Sequence, residues 1–248
     1  KNQTNSRSFE QNLSRTRVFI PNYVKSVPTY VLDGDLPKAD CFYSGTFAEK
    51  LSATDGAVHT VVTGRMIGLS PGELRALADA NIHVHDVYNE NYISDSLVMS
   101  KFHKAAPDHF HIHNHCSQLQ WVNEFSKYDA GWLHSYDSFN EKNLLRANWS
   151  DLNLPARINT LAAAGIPMIL KLNENHVTAM REYVGKRGMG IFYNTIHELI
   201  SQLKNRSVIS QTEHNVRSHR MEFTFDYHVP DLICFFREVI ETVNRNRK

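Results

Sequence analysis

Cysteine is scarce in this chain: only Cys41, Cys116 and Cys234, an odd number set far apart. They offer no disulfide framework and no cysteine-based metal motif, which is the usage of a reducing compartment. Net charge is nearly absent too. Lys and Arg number 27 against 26 Asp and Glu, leaving a formal +1, so nucleic acid is not an expected partner. No apolar run approaches the ~20 residues of a membrane-spanning helix, so no transmembrane segment is expected and the expected location is cytoplasmic. No secretory leader opens the sequence, and residue 1 is Lys, which fits a fragment or a processed form. Also missing are the Gly-x-Ser-x-Gly elbow, the P-loop and the three-glycine dinucleotide fingerprint, and no catalytic triad can be assembled.

What remains is ordinary globular material, 42% hydrophobic and 21% charged over 248 residues, enough to bury a sizeable core. Residues 1–17 are polar and basic without apolar periodicity. Residues 18–57 hold short apolar pieces at 18–20, 27–31 and 41–43, cut by Pro21, Pro28 and Pro37, and read as a connecting segment with one or two strands.

From residue 58 the pattern sharpens. VHTVVT is a β-branched strand ending at Gly64-Arg65. Ser70, Pro71 and Glu73 open a helix as cap, first-turn proline and capping-box partner. Residues 82–87 then alternate strictly, as a strand does. Further strands are expected at 109–113, 130–134, 168–170 and 188–192, with helices at 119–128, 177–184, 195–203 and 229–244. Alternating strands and helices point to a parallel, doubly wound sheet.

The stretch around which the rest is organised is DLNLPARINTLAAAGIP, residues 151–167. Pro155 suits a first helical turn, and Gly165 with Pro167 ends the helix, predicting a helix over 155–164. Its N-terminal end would present free N–H groups at the ligand edge of the sheet, flanked by Asn153 and Arg157. An anion would sit there. Gly64-Arg65, between a strand and a helix, is the corresponding place on the first βαβ unit, and Arg65 offers a fixed fork for a diphosphate.

The 14 histidines cluster. His109, His111 and His113 share one strand face, and His83 and His85 share another. Hydrogen-bonding structural histidines are one reading; a metal site made of two of them with Asp86 or Cys116 is the other. Asp129 and Asp137 flank the 130–134 strand and are acid/base candidates, with solvated loop carboxylates as the alternative.

Taken together, these segments resemble the donor-binding C-terminal domain of the nucleotide-sugar-dependent glycosyltransferases built from two Rossmann-like domains (GT-B). LPARINTLAAAGIPMI is similar to that family's Pro-x-Lys-hydrophobic-x-Glu-Tyr-hydrophobic-Ala-x-Gly signature, and VVTGRMIG to its strand and Gly-Arg turn. HFHIHNHC, YDAGWLHS and REYVGKRGMGIFYNTIHELISQL are similar to the segments that complete its pocket. The resemblance covers about three-fifths of the chain. It implies an α/β, Rossmann-like doubly wound parallel sheet over 58–228, an irregular lead-in at 1–57 and a C-terminal helix at 229–248.

It further implies transfer of a sugar from a UDP- or GDP-sugar to a glycan or other acceptor, as in glycan biosynthesis. The implied nucleotide-sugar ligands are Gly64, Arg65, His113, Asn114, His115, Asn153, Leu154, Pro155, Arg157 and Thr160, with no metal and no cofactor expected. Arg157 stands where the signature has Lys, and Thr160 where it has Glu. The acceptor-binding domain that precedes the donor domain in that architecture has no counterpart in residues 1–57. Those departures define the alternative expectation, a non-catalytic interaction domain that retains the fold.

Overall fold

A computed structural model describes residues 28–30, 32, 35–88 and 96–246. They fall into two compact units: Asp35–Phe225, and a smaller one formed by the two ends of the chain.

The larger unit is built on six strands: β1 (Val58–Thr63), β2 (Ile82–Tyr88), β3 (Phe110–Asn114), β4 (Ala130–Trp132), β5 (Met168–Lys171) and β6 (Gly190–Tyr193). All neighbours pair parallel, in the order β3-β2-β1-β4-β5-β6. This is a Rossmann-like doubly wound parallel sheet, the fold class expected from the sequence. It has a topological switch point between β1 and β4, the place where sheets of this kind bind ligands outside the carboxyl ends of the strands.

Side chains alternate across the sheet and feed two cores. One face carries Val61, Val87, Met168 and Leu170, the other Val58, Val62, Val84, Trp132, Ile169 and Ile191. The first face is covered by α5 (Trp121–Ser126) and α7 (Arg157–Ala164). On the second lie α3 (Pro71–Asp79), α4 (Ser96–Ala105) and α9 (Ile196–Lys204). The Ser70–Glu73 capping box forms as expected.

Every residue of α7 is buried, and Gly165 ends it with φ 68°. The small residue at Gly131 is a packing requirement, since a Cβ there would lie 2.2 Å from Leu161 Cδ2. The helix begins at Arg157, two residues later than expected. The Ile158 and Asn159 N–H groups donate to Pro155 and Ala156 carbonyls, so the chain enters through a tight turn rather than a regular first turn.

Other boundaries shift as well. The 130–134 strand stops at Trp132, and the 119–128 helix is a 3₁₀ turn (Gln118–Gln120) followed by α5. Residues 41–43 are not a strand but lie in a helical turn, α1 (Asp40–Tyr43), and a second short helix, α2 (Leu51–Asp55), leads into β1. Both belong to the larger unit. The apolar piece at 18–20 and residues 27 and 31 lie outside the described residues. Helices α4 and α10 (Arg206–His219) and the short α6 (Trp149–Leu152) were not anticipated.

In the smaller unit a long helix, α11 (Phe225–Asn246), runs through Pro230 and starts four residues before the expected 229. Tyr30 packs on its Phe235 at 5.5 Å between ring centres. Ile233, Phe236, Ile240 and Val243 remain exposed on it.

Candidate functional site

The switch-point crevice is built by backbone geometry first. Gly64 leaves β1 with φ 100°, and its N–H donates to Val87 O at 3.1 Å. The loop then folds over the end of β4. Ser135 N–H donates to Ile67 O at 3.0 Å, and Gly68, at φ 86°, lies so close that a Cβ would meet Ser135 O at 1.3 Å. Only glycine fits there.

Into this frame comes Arg157 from the start of α7. Its Nη2 donates to Arg65 O at 2.6 Å and its Nη1 to Trp132 O at 3.4 Å, and the residue is 8% exposed. The guanidinium therefore ties the end of β1 to the end of β4. Burial lowers its pKa, opposed by the attraction of Asp86.

Asp86, wholly buried on β2, has no hydrogen-bond partner for either oxygen among the described residues. Burial pushes its pKa up to about 7, with Arg157 pulling it back down. His134, just past β4, is held at about 4, by burial and then by the positive charges of Arg157 and Arg65. The switch point thus gathers two guanidinium groups, an imidazole whose pKa is lowered and a buried carboxyl whose pKa is raised.

The structure brings Gly64, Arg65 and Arg157 together at one edge of the sheet. Asn153, Leu154 and Pro155 lead into the same helix and are partly buried. Thr160 lies a turn inside α7 and is 8% exposed. His113 and Asn114 close β3 and His115 follows them, two strands from β1 and so about 10 Å away across the sheet. His134 was not singled out by sequence. Its signal is positional: it directly follows the strand on the far side of the switch point.

Further along the same edge, Asp137, Ser138, Lys171, Asn173, Glu174, His176 and Asn194 line a polar pocket of about 260 Å³. It sits beyond the carboxyl ends of β5 and β6. Lys171 Nζ lies 3.6 Å from Asp137 there. Asp129, the other acid/base candidate, is not a solvated loop carboxylate. It is 2% exposed and takes Ser52 Oγ at 2.6 Å, the His59 N–H at 2.8 Å and Arg206 at 3.3 Å. That makes it a staple between α2, β1 and the start of α10.

The histidines form a ladder on one face of β1–β3. His59 Nε2 lies 2.9 Å from Asp55 Oδ2, His59 Nδ1 2.9 Å from His85 Nε2, and His85 Nδ1 2.8 Å from His113 Nε2. A second rung joins His83 Nδ1 to His111 Nε2 at 2.9 Å. Register explains it. His59 faces His83 and His85 faces His111 across parallel pairs, which stacks their rings 4.5–4.6 Å apart.

Burial first, then mutual repulsion, holds His83 at about 4 and keeps His85 and His111 below their usual range. Burial, then nearby Lys127, does the same for His113. The carboxylate meeting the ladder is Asp55, not Asp86, whose side chain points to the opposite face. Cys116 is not part of it either; burial pushes its thiol up to about 11.

Fold and crevice together define a doubly wound, Rossmann-like α/β protein with an electropositive switch point. No protein-family model and no curated protein sequence matches the chain. Among solved structures it is similar to a chain in the crystal structure of accessory secretory protein 1, 2 and 3 of Streptococcus pneumoniae, at 10% identity and a TM-score of 0.43. That alignment covers 78% of this chain and 37% of the other. This chain therefore spans less than two-fifths of the length of the chain it matches.

Proposed function

We propose that the Asp35–Phe225 unit is the donor-binding part of a glycosyltransferase-like protein, holding a UDP- or GDP-sugar at the switch point between β1 and β4. The observation that carries this reading is the pairing of Arg65 with Arg157 at the one place where a doubly wound sheet opens a crevice. Arg65 is exposed and would meet the diphosphate directly. Arg157, its donors committed to backbone carbonyls, supplies positive potential and holds the turn that carries Arg65. The 260 Å³ polar pocket along the same edge would take the sugar. Charge growing on the leaving diphosphate would be stabilised by these fixed groups, without a metal. The acceptor would be bound by a domain outside this unit.

A second reading rests on Arg157 and on the tight turn ahead of it. With those donors already bonded internally, and Thr160 at the signature's Glu position, the unit would be an interaction domain that retains the fold without its chemistry. Calorimetric titration with UDP and GDP separates the two. Saturable binding that weakens roughly tenfold to a hundredfold in Arg65→Ala, the range of one charge-assisted contact, supports the donor-site reading. No binding of either nucleotide by the folded protein leaves the interaction reading.

A further inference from the structure

On β1–β3 one sheet face carries His59, His83, His85, His111 and His113, whereas toward the carboxyl ends of β1 and β2 the same face carries Val61 and Val87, and on β5 Met168 and Leu170. Neutral imidazoles can satisfy one another, each having one donor and one acceptor. What makes this row more than a self-satisfied patch is its end, where His59 meets the Asp55 carboxylate and His83 offers a ring nitrogen within 4.8 Å of both, at the start of β1 and β2. That end lies at the opposite edge of the sheet from Arg65.

We propose that Asp55, His59 and His83 hold a single divalent transition-metal ion of the zinc class, with His85 and His111 fixing the ligand rings. One ligand atom from each of the three residues lies within 4.8 Å of the other two. Imidazole and carboxylate ligands together suit Zn²⁺. Tetrahedral bonds of ~2.0–2.2 Å keep ligand atoms roughly 3.4 Å apart. Asp55 Oδ2 and His59 Nε2, at 2.9 Å, are already inside that spacing. Closing the remaining sides requires Asp55, an exposed residue at the end of α2, to swing in and the stacked His59 and His83 rings to turn toward a common point. Solvent would fill the fourth position.

Each ligand is oriented by a second contact. Asp55 Oδ1 accepts the Ala57 N–H at 2.9 Å. His59 Nδ1 and His83 Nδ1 lie 2.9 Å from His85 Nε2 and His111 Nε2, which leaves Nε2 of both rings for the metal. An imidazole whose far nitrogen is held this way keeps one tautomer and one orientation, as metal-ligating histidines do.

The ladder gives the site a remote readout. Without metal, ionised Asp55 accepts from His59 Nε2–H. His59 Nδ1 then accepts from His85 Nε2–H, and His85 Nδ1 accepts from His113 Nε2–H. A metal on His59 Nε2 requires the lone pair there, so His59 donates from Nδ1, and His85 and His113 turn over in the same sense. Every ring stays neutral and no proton is gained or lost within the ladder. Occupancy at Asp55 is thereby reported at His113, two strands away.

The test uses untagged protein titrated with Zn²⁺ and with Co²⁺, whose visible absorption reports tetrahedral coordination. The expected result is one tight equivalent with a tetrahedral Co²⁺ spectrum, weakened at least tenfold in Asp55→Asn and in His83→Ala and unchanged in His103→Ala. Asp55 is exposed, so its variant remains informative if a histidine variant fails to fold. Weak binding of several equivalents, indifferent to Asp55→Asn, would mean adventitious surface histidines and would overturn the site. Imidazole ¹⁵N spectra add the second arm. Zn²⁺ should move the His113 proton from Nε2 to Nδ1, and a His113 that keeps Nε2–H with the metal bound would overturn the relay.

Discussion

The carboxyl edge of β1 and the histidine-lined flank of the same strands handle polar groups in opposite ways. At the carboxyl edge, charge is fixed by backbone: Arg157 grips Arg65 O and Trp132 O, and Asp86 sits beside it without a hydrogen-bond partner among the described residues. On the flank, polar groups satisfy each other through neutral rings and end on an exposed carboxylate. One region is a rigid positive frame. The other is a chain of interchangeable donors and acceptors whose direction a ligand can set. The same fold thus keeps preorganised charge and adjustable hydrogen bonding on separate sides of one sheet.

The comparison is broken most severely at Arg157. Arg157→Ala would strip one buried and one partly buried carbonyl of a charged donor and remove the positive neighbour of Asp86, a loss of about 3 kcal/mol. Denaturant unfolding should show it as a lowered midpoint. Arg157→Lys should recover part of the loss, because charge remains while the two-pronged grip does not. A stability unchanged in Arg157→Ala would mean that the guanidinium is not the clamp between β1 and β4.

Acid should separate the two regions next. The folded pKa of His83 and His134 is about 4, and that of His85, His111 and His113 is also lowered, against about 6.5 when unfolded. The unfolded chain therefore binds more protons below pH 6.5, and stability falls as pH drops from about 6.5 toward 4. Asp86 runs the other way. With its folded pKa raised to about 7, its contribution is full at low pH and is lost as pH rises through 7. Five histidines outweigh one aspartate, so metal-free protein should lose stability on mild acidification. His85→Gln should lessen the slope in thermal unfolding scans across that window.

A smaller expected effect concerns the independence of the two regions. Chelation of divalent ions should leave UDP and GDP affinity within about twofold in calorimetry, since the metal-ligand cluster among the described residues, Asp55 with His59 and His83, lies at the opposite edge of the sheet from Arg65. A nucleotide affinity that vanished with EDTA and returned with Mn²⁺ would merge what is here kept apart.

Much of the fold was legible because its signals are local. The β-branched run of β1, the capping box at Ser70 and the Gly165 stop each act over a few residues, and all three formed. Helices α4 and α10 escaped notice because their sequences carry mixed polar faces, without the clean apolar stripe of α9. At the site, sequence placed Gly64 and Arg65 at the carboxyl edge of the sheet, where the structure has them, and set Arg157 beside an anion without anticipating its burial. Its burial depends on the close seating of α7 against Gly131, a tertiary fact that spacing along one helix does not encode. The histidine ladder was legible in part: hydrogen-bonding histidines were expected, their partners were not. Alternation puts His109, His111 and His113 on one face, but only strand register brings His59 beside His83 and makes Asp55 the partner carboxylate.

The most direct test of the donor-site account is backbone and arginine side-chain chemical-shift mapping during titration with UDP and GDP. The account predicts saturable shifts at Gly64, Arg65 and His134, with the signals of His59, His85 and His113 unmoved. Shifts confined to the histidine flank, or none at saturating nucleotide, would contradict it.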